Sequence, residues 1–105
     1  MNEGLIPRRY AKALLKVAAE RHDGKRLYEL MGNLCDSFAA HPELEVTLAN
    51  PFIDSEKKIG LLATAAGADK SDTTFRDFLK LLKNNNRLDM ARAIALAYGD
   101  DYREA

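Results

Sequence analysis

KRLYELMGNLCDSFAAHP, residues 25–42, carries its apolar side chains at Leu27, Leu30, Met31, Leu34 and Phe38. These intervals, i, i+3, i+4, i+7 and i+11, mark one face of an α-helix. The helix starts near Lys25 and stops at His41-Pro42, because proline lacks an amide hydrogen and disfavours helical backbone in the residue before it. A single apolar stripe gains its stability by packing against neighbours, so the stretch predicts a helix on the wall of a bundle.

The flanking sequence reads the same way. Upstream, a first helix is expected from Pro7, which suits an initial turn, to about Arg21, with Asp23-Gly24 as the break. Downstream, a short third helix should run from Pro42 to about Ala49, bounded by Asn50-Pro51. The fourth should begin after an Asp54 N-cap, carry Ile59, Leu62 and Ala66, and close on Gly67. The fifth should follow Ser71-Asp72, carry Phe75, Phe78, Leu79 and Leu82, and end in Asn84-Asn85-Asn86. Asn86 is the expected cap of a sixth helix, with Asp89 three residues on and a stripe of Leu88, Ala91, Ile94, Ala95, Tyr98 and Tyr102. No alternating Val/Ile/Thr run and no Asn-Gly hairpin signal interrupts the pattern. The expected fold is all-α, a compact six-helix bundle forming one domain over residues 1–105.

Composition narrows the function classes. Of the 105 residues, 47% are hydrophobic and 30% charged, the profile of a soluble globular protein. Sixteen Lys plus Arg balance sixteen Asp plus Glu, so no overall basic field exists to hold nucleic acid or an anionic membrane. No apolar run reaches the roughly 20 residues of a membrane span, and the N-terminus does not read as a signal peptide. Cys35 is the single cysteine, which excludes an internal disulfide; beside the apolar stripe of the second helix it reads as a buried, inert thiol. His22 and His41 have no second ligand at a metal-binding spacing. Glu43 and Glu45 diverge on a short helix, and Asp100-Asp101 reads as a solvated pair. Gly60 and Gly67 are isolated, so no phosphate-cradling loop is present, and the pairs Lys57-Lys58 and Arg8-Arg9 read as solvated surface. No catalytic, cofactor or metal site is expected.

Two helices carry more apolar surface than one buried face needs. At 100° per residue, Ile6, Tyr10, Ala13, Leu14 and Val17 form one stripe of the first helix, while Ala11, Leu15 and Ala18 form a neighbouring one. Only Lys12, Lys16 and Glu20 define a charged face. On the fifth helix, Phe78 and Leu81 widen the core stripe of Phe75, Leu79 and Leu82, and Thr74 and Asn85 continue the second face. The bland reading is a deep core helix; the alternative is that two such helices lie side by side and form an apolar groove for an amphipathic helix.

Three segments then resemble a known family. Arg9-Tyr10-Ala11-Lys12-Ala13-Leu14 is similar to the opening motif of ATP synthase delta subunits, relatives of the mitochondrial oligomycin-sensitivity-conferring protein. Asn50-Pro51-Phe52-Ile53 with Glu56-Lys57-Lys58 resembles that family's Asn-Pro-x-Ile segment and the helix after it. Phe78-Leu79-Lys80-Leu81-Leu82 with Asn84-Asn85-Asn86-Arg87-Leu88 resembles its Phe-Leu-x-Leu-Leu-x-x-Asn-x-Arg-Leu stretch, except that Asn86 stands where the family often has glycine.

The resemblance implies an N-terminal domain of a stator subunit, without the C-terminal domain that meets the peripheral-stalk b subunit. It implies a groove between helices one and five that takes the N-terminal amphipathic helix of an alpha subunit. The groove residues it implies are Ile6, Tyr10, Ala13, Leu14 and Val17 with Phe78, Leu81, Leu82 and Asn85. Tyr10 and Phe78 would be anchors, and Arg8, Lys12, Asp77 and Lys80 rim charges. It also implies a non-catalytic role, no cofactor, and a peripheral location at the cytoplasmic face of a bacterial inner membrane, without insertion and without nucleic acid. A generic helical adaptor using the same groove shares this physics and differs only in the partner. A helix-turn-helix reader is a poor rival, since Arg87 and Arg92 sit among Asp89, Ala93 and Ala97.

Overall fold

The computed structural model describes residues 4–104. In chain order it has α1 (Leu5–Glu20), α2 (Gly24–Ala40), α3 (Glu43–Ala49), α4 (Ser55–Ala66) and α5 (Thr73–Asn84). A single 3-10 turn (Leu88–Met90) then leads into α6 (Ala91–Glu104). Among the described residues there is no strand. The expected all-α six-helix bundle is what forms.

The stripe that opened the reading is the centre of the core. Leu27, Leu30, Met31, Leu34 and Phe38 of α2 are all buried, and α2 touches every other helix. Its most extensive partners are α6 and α4. The other large interface joins α1 to α6. There the buried side chains of α1 are Pro7, Ala11, Leu14 and Ala18, and those of α6 are Ala91, Ile94, Ala95 and Tyr98. Alanines on both sides form a small-residue seam, which lets the two backbones approach closely. This settles which face of α1 points inward: the Ala11/Ala18 stripe is core, with Leu14 at its edge. Tyr98 is buried whole, its hydroxyl donating to the Gly24 carbonyl at 3.0 Å, and burial pushes its phenol up to about 12.

Helix ends differ from the sequence expectation in four places. α1 begins two residues before Pro7, which lies inside its first turn, and its C-terminal break is made by His22, not by Asp23-Gly24. His22 adopts the left-handed conformation at φ 57°, with its N–H donating to Ala19 and that of Asp23 to Ala18. Gly24 opens α2 instead. Asn86 likewise closes α5 and does not cap α6: φ is 57°, its N–H donates to Lys83, and that of Arg87 to Leu82. Both ends, like that at Gly67, are Schellman motifs. Asp54 stands at the N-cap of α4 but its side chain makes no capping bond. His22 and Asn86 carry a Cβ where glycine would be unstrained, histidine being less suited than asparagine. His22→Gly is expected to raise stability by about 0.5–1 kcal/mol and Asn86→Gly by less, read as shifts in urea midpoint.

The turn before α5 is tied to α2 by a buried acid. Asp72 accepts from Arg26 Nε at 2.8 Å and Nη2 at 3.0 Å, and from the Asp69 N–H at 2.9 Å. Its side chain therefore faces back into the turn and leaves the α5 N-terminus uncapped. The Arg26 guanidinium, more than burial opposes it, holds the Asp72 carboxyl below the usual carboxylate range. A depressed folded-state pKa contributes stability that is complete above the unfolded value, about 3.9. That contribution is lost as pH falls through the folded value. Asp72→Asn is thus expected to be less stable near neutrality, with the gap to wild type closing below about pH 4. Urea unfolding at a series of pH values reads this out.

Candidate partner-binding furrow

α1 and α5 lie against each other, as the second of the two sequence readings has them. Between them runs a furrow of about 150 Å³ lined by Tyr10, Ala13, Leu14, Val17 and Arg21 of α1 and by Thr74, Asp77, Phe78 and Leu81 of α5. Its wall and floor are almost wholly hydrocarbon. The α1 residues recur at three- and four-residue steps because that spacing returns to one side of a helix. They sit about 100° round from the Ala11 core face, so one helix serves both the core and the furrow.

Each end of the furrow is bridged by polar groups. At one end Arg21 Nη1 donates to Thr74 Oγ1 at 3.3 Å and to Asp77 Oδ2 at 3.2 Å. At the other, Asn85 Nδ2 donates to the Tyr10 hydroxyl at 2.7 Å. The Arg21–Asp77 and Tyr10–Asn85 contacts are exposed and contribute little to stability; each spans the two helices at one end of the furrow. Past the Tyr10–Asn85 bridge the surface dips again, into a wider depression lined by Ile6, Arg9, Tyr10, Asn85 and Arg87.

Of the nine groove residues named from sequence, eight line these two depressions: Ile6, Tyr10, Ala13, Leu14, Val17, Phe78, Leu81 and Asn85. Phe78, at 2% exposure, is floor and not a protruding anchor. Leu82 is corrected: it is wholly enclosed and lines neither depression, because its side chain falls on the core stripe with Phe75 and Leu79. The apolar side chain that projects from the furrow wall is Leu81, 46% exposed.

Sequence reasoning missed Arg21, Thr74, Arg9 and Arg87 as lining residues. A signal existed for the first two: Arg21 follows Val17 by four residues, and Thr74 precedes Phe78 by four, so each extends a stripe already drawn. Of the expected rim charges, Asp77 lines the furrow, whereas Arg8, Lys12 and Lys80 do not. Two other candidates depart from their reading as solvated surface: Lys58 is buried, and Asp101 Oδ2 is enclosed without a hydrogen-bond partner among the described residues. Cys35 is half-buried, which pushes its thiol up, and no group of His, Cys, Asp and Glu among the described residues could hold a metal. No described helix is long and apolar enough to cross a membrane.

Comparison with known proteins agrees with the resemblance. The family described as ATP synthase delta (OSCP) subunit matches residues 6–105. ATP synthase subunit delta of Phocaeicola vulgatus is 38% identical over 101 residues, covering 96% of this chain and 55% of that protein. The corresponding protein of Parabacteroides distasonis is 36% identical over 104 residues, covering 99% and 57%. That of Sulfurovum sp. is 33% identical over 102 residues, covering 97% and 55%. The chain thus spans a little over half the length of the curated relatives it matches. With a family match across nearly all its residues and several relatives above 30% identity, the chain belongs to the ATP synthase delta (OSCP) subunit family.

Proposed function

We propose that this chain is the N-terminal domain of a stator subunit of the rotary ATP synthase. Its furrow between α1 and α5 takes the N-terminal amphipathic helix of an alpha subunit. Docking there links the catalytic head to the peripheral stalk, whose b subunit is reached through a further domain. The role is mechanical holding, with no bond broken, at the cytoplasmic face of a bacterial inner membrane. The observation that carries the reading is an apolar furrow formed by the two helices whose apolar surplus exceeds what the core needs. Tyr10 to Arg21 spans about 16 Å of helix, room for three turns of a visiting helix. The small side chain of Ala13 lets that visitor's backbone come close, and affinity comes from the apolar stripe it buries.

Calorimetric titration with a peptide covering roughly the first 25 residues of the alpha subunit of the same synthase tests this. The expected result is saturable one-to-one binding with a negative heat-capacity change, the mark of apolar burial. Absence of heat and of any helical gain in the peptide by circular dichroism would overturn the reading.

A further inference from the structure

Arg9 and Arg87 stand 78 residues apart in the chain, one in the first family-like motif and one in the third. The fold brings both to the depression beyond Tyr10, about 350 Å³ in volume, whose other lining residues are Ile6, Tyr10 and Asn85. No carboxylate lines it. Five of the other arginines are engaged: Arg21, Arg26, Arg92 and Arg103 each pair with an acid, and Arg76 donates to the carbonyls of Ala68 and Asp69, whereas Arg8, which lines neither depression, appears in no ion pair among the described residues. Arg9 appears in no ion pair among the described residues, and Arg87 only reaches the Met90 sulfur at 4.0 Å. The Tyr10 hydroxyl accepts its hydrogen bond from Asn85, which leaves its own O–H hydrogen to be donated. Arg9, Arg87 and Tyr10 therefore line one hollow whose lining holds no carboxylate.

We infer that this hollow is a carboxylate subsite for the helix that occupies the furrow: an Asp or Glu of that helix is held there by Arg9 and Arg87. The inference rests on the proposed docking of an amphipathic helix and adds its direction. Tyr10 lines both hollows, so the second adjoins the furrow at its Tyr10 end, within reach of a helix lying there. The apolar stripe of the visitor then covers three turns from Arg21 to Tyr10, and its acid falls within about one turn beyond. The opposite end offers no equivalent subsite, because Arg21 is already engaged by Asp77. The positive charge of Arg9 and Arg87 attracts the arriving acid, which makes the contact specific for one orientation and favours fast association.

The test uses the full chain and the alpha-subunit peptide, with binding followed by stopped-flow fluorescence and by calorimetry. For the double variant R9Q/R87Q we expect an association rate about tenfold lower at low ionic strength, with the difference shrinking as salt approaches 0.5 M. Replacing the acidic peptide residues one at a time by their amides should identify one whose loss weakens binding to wild type and leaves binding to R9Q/R87Q unchanged. A peptide that binds in a Leu81-dependent manner, yet with the same rate and salt dependence in both proteins, overturns the subsite and leaves the furrow reading intact. A peptide that does not bind wild type at all overturns both. Circular dichroism and urea unfolding of R9Q/R87Q show whether its fold is wild type, and the amide scan of the peptide on wild-type protein decides the matter even if it is not.

Discussion

Leu81→Glu should weaken binding of the alpha-subunit peptide by more than about 2 kcal/mol, some thirtyfold, while leaving the fold unchanged. Leu81 is 46% exposed on the furrow wall, so a charged side chain there reaches water in the free protein and costs the bundle little. Once a helix covers the furrow, that same carboxylate has to lose its hydration against hydrocarbon with no cation beside it. Both the lost apolar contact and the stranded charge act in one direction. Leu61 and Leu96, also partly exposed but outside the furrow, provide the control. Glutamate at either should leave the titration unchanged. Unaltered affinity in a folded Leu81→Glu protein would remove the furrow from consideration.

Ala11→Leu should cost about 3 kcal/mol of stability and weaken peptide binding as well, although Ala11 does not line the furrow. Ala11 is fully enclosed on the face of α1 that packs on α6. A leucine adds three heavy atoms where the neighbouring backbone is close, and a close-packed seam takes them up only by off-rotamer side chains or by moving the helix. Moving α1 away from α6 also moves Tyr10, one residue away on the same helix, relative to α5. Urea unfolding reads the first effect and calorimetric titration the second. A variant of wild-type stability would show that the seam has slack.

How much of this was legible beforehand follows from what periodicity can carry. The α2 stripe, the apolar surplus of α1 and α5, and the six-helix class are patterns along one dimension, and they translate directly into faces. Spacing places Leu82 on the core stripe with Phe75 and Leu79, where the structure has it; its place in the groove came only from the family resemblance. The His22 and Asn86 turns were misread because sequence favours the glycine or the capping motif nearby, while the hydrogen bonds closing α1 and α5 selected the left-handed residue. Asp72 looked like a cap; its actual partner, Arg26, is 46 residues distant, and no local rule joins them. Arg9 read as a solvated surface charge, and nothing local joined it to Arg87, 78 residues away.

The bridges at the two ends of the furrow have a mechanical consequence. With Arg21 joined to Asp77 and Tyr10 joined to Asn85, α1 and α5 are spanned at both ends of the furrow before any visitor arrives. The ordering entropy of docking then falls almost entirely on the visitor. A tug directed lengthwise strains the whole apolar contact at once, whereas a tug directed outward opens it one turn after another. The proposed joint is expected to be stiffer in shear than in peel, a directional strength that single-molecule pulling along the two axes would resolve.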